Sequence, residues 1–308
     1  MKGFDLRRIQ GLAARGFLNW MPDGVYLRIL YKARTGKKLN LQNPQTFNEK
    51  LQWLKLYDRR PEYTTMVDKY EVKKYIAELI GQEHIIPTLG VWDRFEDINF
   101  QSLPQQFVLK CSHDSGGLVI VRDKSRLDYE TARARINHSL KCDYFWTNRE
   151  WPYKNVKPRI IAEKYMVDES GYERKEKNGL TDYKVYCFDG EPKFLYISQG
   201  LENHATASIS FLTLDWQFAP YERNDYKPFS QIPSKPAGYE EMLELSRELS
   251  KGIPFLRVDL YQIGQMVYFS ELTFTPCSGF IPFRNEMHDI EIGKMLQLPL
   301  KNAAGTRE

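Results

Sequence analysis

Near the C-terminus, residues 257–274 read RVDLYQIGQMVYFSELTF. Two alternating segments flank Gly264 here, and side chains repeat along a strand with a period of two. Arg257 and Asp259 therefore share one face of the first strand, and Glu271 and Thr273 share one face of the second. Asp259 and Glu271 lie at the spacing that makes cross-strand neighbours around a short turn. Two carboxylates brought together near a core are costly unless a cation lies between them. Oxygen ligands of this kind suit Mg²⁺ or Mn²⁺, and Arg257 beside them can neutralise charge on a transferred phosphoryl group. An Arg–Asp–Glu network that only holds the fold together satisfies the same spacing.

A second constellation is FVLKCSHDSGGLVIVRD, residues 107–123. A lysine, Lys110, sits in strand-like sequence ahead of a turn containing Ser112, His113, Asp114, Ser115, Gly116 and Gly117. The glycines run into LVIV, which is strand sequence, whereas a Walker A loop runs into a helix. Either this is a plain surface hairpin, or its backbone N–H groups cover phosphates while Lys110 supplies a point charge. A third segment, RIIAEKYM, ends an apolar run in Glu163, Lys164, Tyr165 and Met166. Alone it reads as a strand meeting solvent, with a strand edge that could receive a flat ring.

The elements that must position these groups follow from periodicity. Residues 1–66 read as helical, as do 66–81 (stopped at Gly81), 129–142 and the amphipathic stretch 239–252. HIIPTLGVW gives a short strand, and IIAEKYM is expected to open a second set of strands. DYKVYCFDG and PKFLYIS continue that set, with a hairpin turn at DGEP. Strands and helices mix without regular βαβ alternation, which favours α+β.

Composition sets the outer limits. The chain has 308 residues, 42% of them hydrophobic, enough for a substantial core. A formal net charge of +4 is too mild to point to nucleic acid, though it suits an anionic substrate. Four cysteines without a CxxC pair read as reduced thiols of a cytoplasmic protein. No apolar run is long enough to span a bilayer. The stretch MKGFDLRRIQGLAARGFLNWM can form an amphipathic helix that rests on the inner face of a membrane or packs on its own domain.

The order of these elements resembles the ATP-grasp superfamily. More narrowly, residues from about 45 to 300 are similar to ATP-grasp proteins of teichuronopeptide type, found among bacterial surface-polysaccharide genes. The phrases KYEVKKYIAELIG, FVLKCSHDSGG, REWPYKNVKPRIIAEKYM and PFLRVDLY…YFSELTFTPCSGF carry that likeness. It implies an α+β fold in which two subdomains grip ATP, at 67–160 and 161–302, after a helical region at 1–66 and before a disordered tail at 303–308. It makes Lys69 or Lys73 an early phosphate contact, Lys110 the strand lysine, and Ser112 to Gly117 a mobile phosphate lid. Glu163 would take the adenine amino group with backbone at Lys164 to Met166. Asp182 would hold the ribose and Lys184 would be a further basic contact. Arg257 would be catalytic, with Asp259, Glu271 and Thr273 as metal ligands. Thr273 stands where the superfamily has asparagine.

The implied activity is carboxylate–amine ligation through an acyl phosphate, with ATP and Mg²⁺ or Mn²⁺. The resemblance further implies a uronic acid of a capsular or cell-wall glycan as acid and an amino acid as amine. Arg149 and Lys154, in an aromatic and basic stretch, and Arg284 are candidates to hold an anionic sugar. Two other readings compete. A glycosyltransferase of the metal-dependent kind would carry a DxD motif, and none occurs. A non-catalytic nucleotide-binding module draws support from Thr273 alone.

Overall fold

The computed structural model describes residues 6–114, 116–167, 180–200 and 207–299. Helices α1 (Leu6–Ala14), α2 (Asp23–Thr35), α3 (Phe47–Tyr57), α4 (Glu62–Val67) and α5 (Glu71–Ile80) come first. Local chemistry sets their ends. Thr46 and Glu49 form a reciprocal capping box that starts α3, and Gly36 at φ 75° ends α2. The helix expected over 66–81 divides at Asp68, whose Oδ1 accepts from the backbone N–H groups of Tyr70 and Glu71. Gly81 ends α5 as expected.

Strands β1 (Thr88–Trp92), β2 (Phe107–Cys111) and β3 (Leu118–Val121) follow, then α6 (Tyr129–Leu140), α7 (Tyr144–Asn148) and β4 (Ile160–Lys164). These strands form one antiparallel sheet in the order β1-β4-β2-β3. IIAEKYM thus completes the first sheet and does not open the second. The change of sheet falls after Lys164, not between residues 160 and 161. Lys110 pairs with Ile161 and Val108 with Glu163, so β4 fills the slot beside β2 that β1 would otherwise take.

Strands β5 (Asp182–Phe188), β6 (Glu191–Gln199), β7 (Ser208–Thr213), β8 (Phe255–Ile263) and β9 (Met266–Thr273) form the larger sheet, β7-β6-β5-β8-β9, with α8 (Tyr239–Ser250) before β8 and α9 (Glu286–Met295) after β9. Asp189 (φ 50°) and Gly190 (φ 79°) make the β5–β6 turn, where both central residues need positive φ. Val185, Cys187, Leu256, Val258 and Leu260 pack on one face with α4, α5 and α8. Tyr186, Phe188, Phe194, Phe211 and Phe255 pack on the other with α1, α2, α3 and α9. The N-terminal helices are thus one of the two layers covering the large sheet. Within α1, Ile9 and Ala13 enter that core while Leu12 stays at the surface, as do Phe17 and Trp20 beyond the helix. No helix among the described residues is long and apolar enough to cross a membrane.

Candidate active site

On the small sheet, Phe107, Leu109 and Cys111 face the core beneath α6. Strand alternation therefore puts Val108 and Lys110 on the opposite face, beside Glu163 of β4. This is why a lysine sits in an otherwise apolar strand: it belongs to the face that looks into a cleft of about 390 Å³, including its open mouth. Lys69, Lys73, Lys110, Glu163 and Glu271 meet there, together with Val72, Ile85, Ile86 and Phe269. The cleft lies between the two sheets, with α5 at its side. HIIPTLGVW was read only as a strand, yet its Ile85 and Ile86 supply the apolar wall.

Glu163 is clamped between two lysines, Lys73 Nζ at 2.6 Å from Oε1 and Lys110 Nζ at 2.6 Å from Oε2. Burial would push its carboxyl up, but the two lysines outweigh burial and hold it at about 2. Lys73 also donates to Ile86 O and Thr88 Oγ1. All three of its protons are then spent on the protein. Among the described residues Lys110 pairs with Glu163 only, and it is a quarter exposed, which leaves it able to meet an anion. Lys69 donates to Asp114 O, which ties it to the glycine-bearing turn.

Across the cleft, a bulge between Asp259 and Leu260 makes Asp259 pair with Glu271 and Leu260 with Phe269. Such a bulge re-aims side chains next to functional sites. Arg257 and Asp259 form a two-pronged pair, Nε to Oδ1 and Nη2 to Oδ2, both 2.6 Å. Arg257 Nη2 reaches Glu271 Oε1 at 3.1 Å and Thr273 Oγ1 at 2.9 Å, and Thr273 donates to Glu271 at 3.3 Å. Lys184 Nζ lies 2.7 Å from Asp259 Oδ2 and 3.2 Å from Asp182 Oδ1. Burial opposes the charge on Lys184, but Asp182 and Asp259 outweigh it and push its pKa well above the ordinary range. Glu271 is raised by burial and lowered more strongly by Arg257, Lys184 and Lys69, ending at about 2.

A divalent cation at this site would draw on Asp259, Glu271 and Thr273. The ligands are all oxygen, as a hard cation requires. Glu271 fits, being 42% exposed. Asp259 has no exposure and already shares its oxygens with Arg257 and Lys184. Among the described residues no cluster of three His, Cys, Asp or Glu occurs.

Several expected contacts are placed elsewhere. Ser112, His113 and Asp114 turn inward. Ser112 Oγ donates to Lys157 O, His113 Nε2 faces the carbonyls of Ser139 and Cys142, and Asp114 accepts from Ser139 and from Gly117 N. Their side chains are buried and engaged, which corrects the reading of them as phosphate contacts in a mobile lid. Ser115 lies outside the described residues, and Gly116 is the exposed part of the tip. Lys164 N donates to Pro87 O, and Tyr165 OH accepts from Arg122. Met166 is half-buried.

Arg149 is corrected as a substrate contact. It is fully enclosed, held by Asp23 at 3.0 Å and stacked on Tyr26 and Trp146. Arg284 pairs with Glu222 at the surface, and Lys154 lies over Phe145, so neither joins the cleft.

Gly117 has a packing reason. A Cβ there would lie 2.5 Å from Ser139 Oγ and 2.6 Å from Cys111 Sγ, whereas one at Gly116 meets only ordinary contact. Gly117→Ala is expected to lower stability by about 1–3 kcal/mol and Gly116→Ala to be near neutral, checked by thermal unfolding of the two variants.

A family model described as TupA-like ATPgrasp matches residues 49–297. The chain belongs to the TupA-like ATP-grasp family. Cleft, carboxylate pair and strand lysine all fall within the matched span. No curated protein matches. Solved structures similar to this ATP-grasp chain include D-alanine–D-alanine ligase from Bacillus anthracis, at 18% identity and TM-score 0.38, covering 75% of this chain and 59% of that one. The corresponding ligase from Helicobacter pylori has 17% identity and TM-score 0.39, covering 82% and 69%. A RimK domain ATP-grasp protein from Sphaerobacter thermophilus DSM 20745 has 12% identity and TM-score 0.38, covering 76% and 69%. The chain thus spans less than two thirds of the first of these, and likeness this loose carries no argument about chemistry.

Buried polar groups with no signal in the sequence hold the turn after β9. Lys55 of α3 is buried, and burial pulls its pKa down to about 7. It donates to Gln52 Oε1, Asn148 O and Ser278 O. Glu150 accepts from Thr275 and Ser278. Partners so far apart in sequence leave no periodic signal.

Proposed function

We propose that this ATP-grasp chain is an ATP-dependent carboxylate–amine ligase. The observation that carries the reading is one cleft lined by Lys69, Lys73, Lys110 and Glu163 on one side and by Glu271 on the other, with Glu271 joined through Arg257 to the buried Asp259 and Lys184 behind it. Lys73, Lys110, Lys184 and Arg257 each pair with a carboxylate, while Lys69 is held by Asp114 O. A polyphosphate entering the cleft gives Lys69 an anion to face and Lys110 and Arg257 a further one, and Val72, Ile85, Ile86 and Phe269 offer a dry wall to a flat base.

In the first step an oxygen of the acid substrate attacks the γ-phosphorus of ATP, and the bond to the β-phosphate oxygen breaks to release ADP. In the second, the amine nitrogen attacks the acyl phosphate carbon, inorganic phosphate leaves, and the nitrogen loses a proton. Such chemistry depends on positioning and charge neutralisation more than on a covalent enzyme intermediate. Lys110 binds the phosphate chain and Arg257 spreads the charge on the transferred group. Glu271 would hold Mg²⁺ or Mn²⁺, with the Thr273 hydroxyl at hand, and the ion would supply charge neutralisation to the phosphates, while Asp259 keeps Arg257 and Lys184 in place. Glu163 fixes Lys73 and Lys110, and adenine recognition then falls to backbone at Tyr165 and Met166. Asp182 stays the ribose candidate.

The acid we assign is a uronic acid of a surface glycan and the amine an amino acid, used on the cytoplasmic side where ATP is available. The test is to combine the protein with ATP, Mg²⁺, uronic acids (free, nucleotide-linked and polymeric) and amino acids, following ADP and product mass. ADP released only when acid and amine are both present, with an adduct lighter than their sum by one water, is expected. Sugar transfer from a nucleotide sugar without ATP would instead identify a glycosyltransferase, and binding without turnover a non-catalytic module.

A further inference from the structure

Beyond β9 the chain enters a strained turn. Cys277 (φ 50°, ψ 33°) and Ser278 (φ 55°, ψ 29°) are both left-handed without being glycine, and Gly279 follows at φ 70°. Non-glycine residues held in this region cost on the order of 1–3 kcal/mol each, and such strain persists where the surroundings over-determine it. Here they do. Gln52 Nε2 donates to Gly279 O at 2.7 Å, Lys55 Nζ to Ser278 O at 2.7 Å, and Glu150 accepts from Ser278 Oγ at 2.7 Å. All three side chains are buried. They come from α3 and from the segment before β4, and they draw the turn's polar groups inward while Cys277 stays exposed.

Two arginines flank the turn. Arg34 of α2 lies against Phe280, which follows it, and Arg223 bridges to Phe283, while Glu150 is already engaged by Thr275 and Ser278. Arg223 is paired with Asp225 at 2.6 and 2.8 Å. Arg34 lies over the Phe280 ring, 4.8 Å from its centroid, and no acid pairs with it among the described residues. Phe280 shares its core cluster with Tyr186 and Tyr196, and the Tyr196 ring is 5.8 Å from the Arg257 guanidinium. This basin therefore adjoins the reacting end of the cleft, on the sheet face that the N-terminal helices cover.

We propose that Arg34, Arg223 and the Thr275–Gly279 turn form the seat for a substrate carboxylate, so that the N-terminal helical region takes part in choosing the substrate. The assignment deepens the ligase reading and rests on it for the identity of the ligand. A guanidinium stacked on a ring and without an acid partner is a ready donor pair for a planar carboxylate. The rigid turn fixes where that carboxylate stops relative to Arg257.

Cys277 reports on the basin without turnover. Alkylation by anionic iodoacetate and by neutral iodoacetamide is followed at the Cys277 peptide by mass spectrometry. A cationic basin concentrates the anionic reagent, so the iodoacetate-to-iodoacetamide rate ratio should exceed that of free glutathione by roughly tenfold at low salt. It should fall by about fivefold or more in 0.5 M NaCl, where charges a few ångströms apart are already screened. Arg34→Met, which keeps the stacked stem, should lower it to a similar degree, and Arg34→Lys should restore it in part. A wild-type ratio no higher than that of glutathione, or one indifferent to salt and to Arg34→Met, overturns the site.

Ligand identity comes from protection against iodoacetamide. Slowing by D-glucuronate but not its methyl ester assigns the seat to the acid substrate, and slowing by glycine but not glycinamide assigns it to the amine substrate. Protection by neither overturns the carboxylate assignment. None of these measurements uses ATP, so a failure to detect ligation and a failure of this basin are separate results.

Discussion

Glu271→Gln is expected to remove ADP release by about a thousandfold or more at a stability cost of only about 1 kcal/mol, because its exposure screens its ion pair. Asp259→Asn is expected to remove ADP release as completely and to unfold the protein far more easily. The distinction comes from burial. Glu271 is 42% exposed and gives Arg257 one long contact, so its neutral analogue loses function at modest structural cost. Asp259 has no exposure, takes both prongs of Arg257 and holds Lys184 at 2.7 Å. Neutralising it leaves two buried cations facing each other, and breaking a buried pair from one side costs about 3–5 kcal/mol. A sequence reading treats the two carboxylates as equivalent and expects both substitutions to spare the fold. The structure separates them. Urea unfolding and ADP release measured on both variants decide it: equal stability of the two contradicts the buried network, and retained ADP release in Glu271→Gln removes Glu271 from the reaction. Arg257→Met combined with Asp259→Asn should cost little more activity than either alone, because they act as one unit.

Residues legible in the sequence were those whose function forces a local pattern. Arg257, Asp259, Glu271 and Thr273 could be paired across a turn because strand period and hairpin geometry fix neighbours within a short span, and the register bears out Asp259 opposite Glu271. Lys110 stood out because a charge in an apolar strand needs a reason, and its open sheet face supplies one. IIAEKYM was assigned to the wrong sheet because its partner β2 lies far back in the chain, with an α-helix and irregular chain between, and β-pairing across such a gap has no local signature. The aromatic and basic stretch misled in another way. Arg149 carries the same charge as a surface arginine, yet Asp23, Tyr26 and Trp146 enclose it. Trp146 is local, but Asp23 and Tyr26 lie more than a hundred residues away, outside any pattern around residue 149 itself. Lys55, Gln52 and Glu150 escaped notice for the same reason: they act on a turn more than a hundred residues away.

Glu163 offers the second large effect, read through pH. Its carboxyl titrates at about 2 in the folded protein, against 4.5 as its ordinary value. A group depressed in the folded state contributes stability that is present above the unfolded pKa and lost as pH falls through the folded one. The clamp is therefore at full strength above about pH 5 and fades between there and about pH 2, a span worth on the order of 3 kcal/mol. Glu163→Gln deletes the charge and leaves Lys73 and Lys110 without their shared anion. At pH 7 the variant should be less stable by about 3 kcal/mol or more. As pH falls the wild-type carboxyl takes up its proton and comes to resemble the amide, so the two stabilities should converge. Urea unfolding at pH 7, 5, 4 and 3 follows this directly. A gap that stays constant across that range means that the two lysines do not hold Glu163 ionised, and that the lysine side of the cleft is arranged by something else. Function should follow the same clamp. Lys110, released from Glu163, no longer points at one place, so the variant's KM for ATP should rise by about tenfold, more than its kcat falls. Loss confined to kcat would instead place Glu163 at the reacting groups.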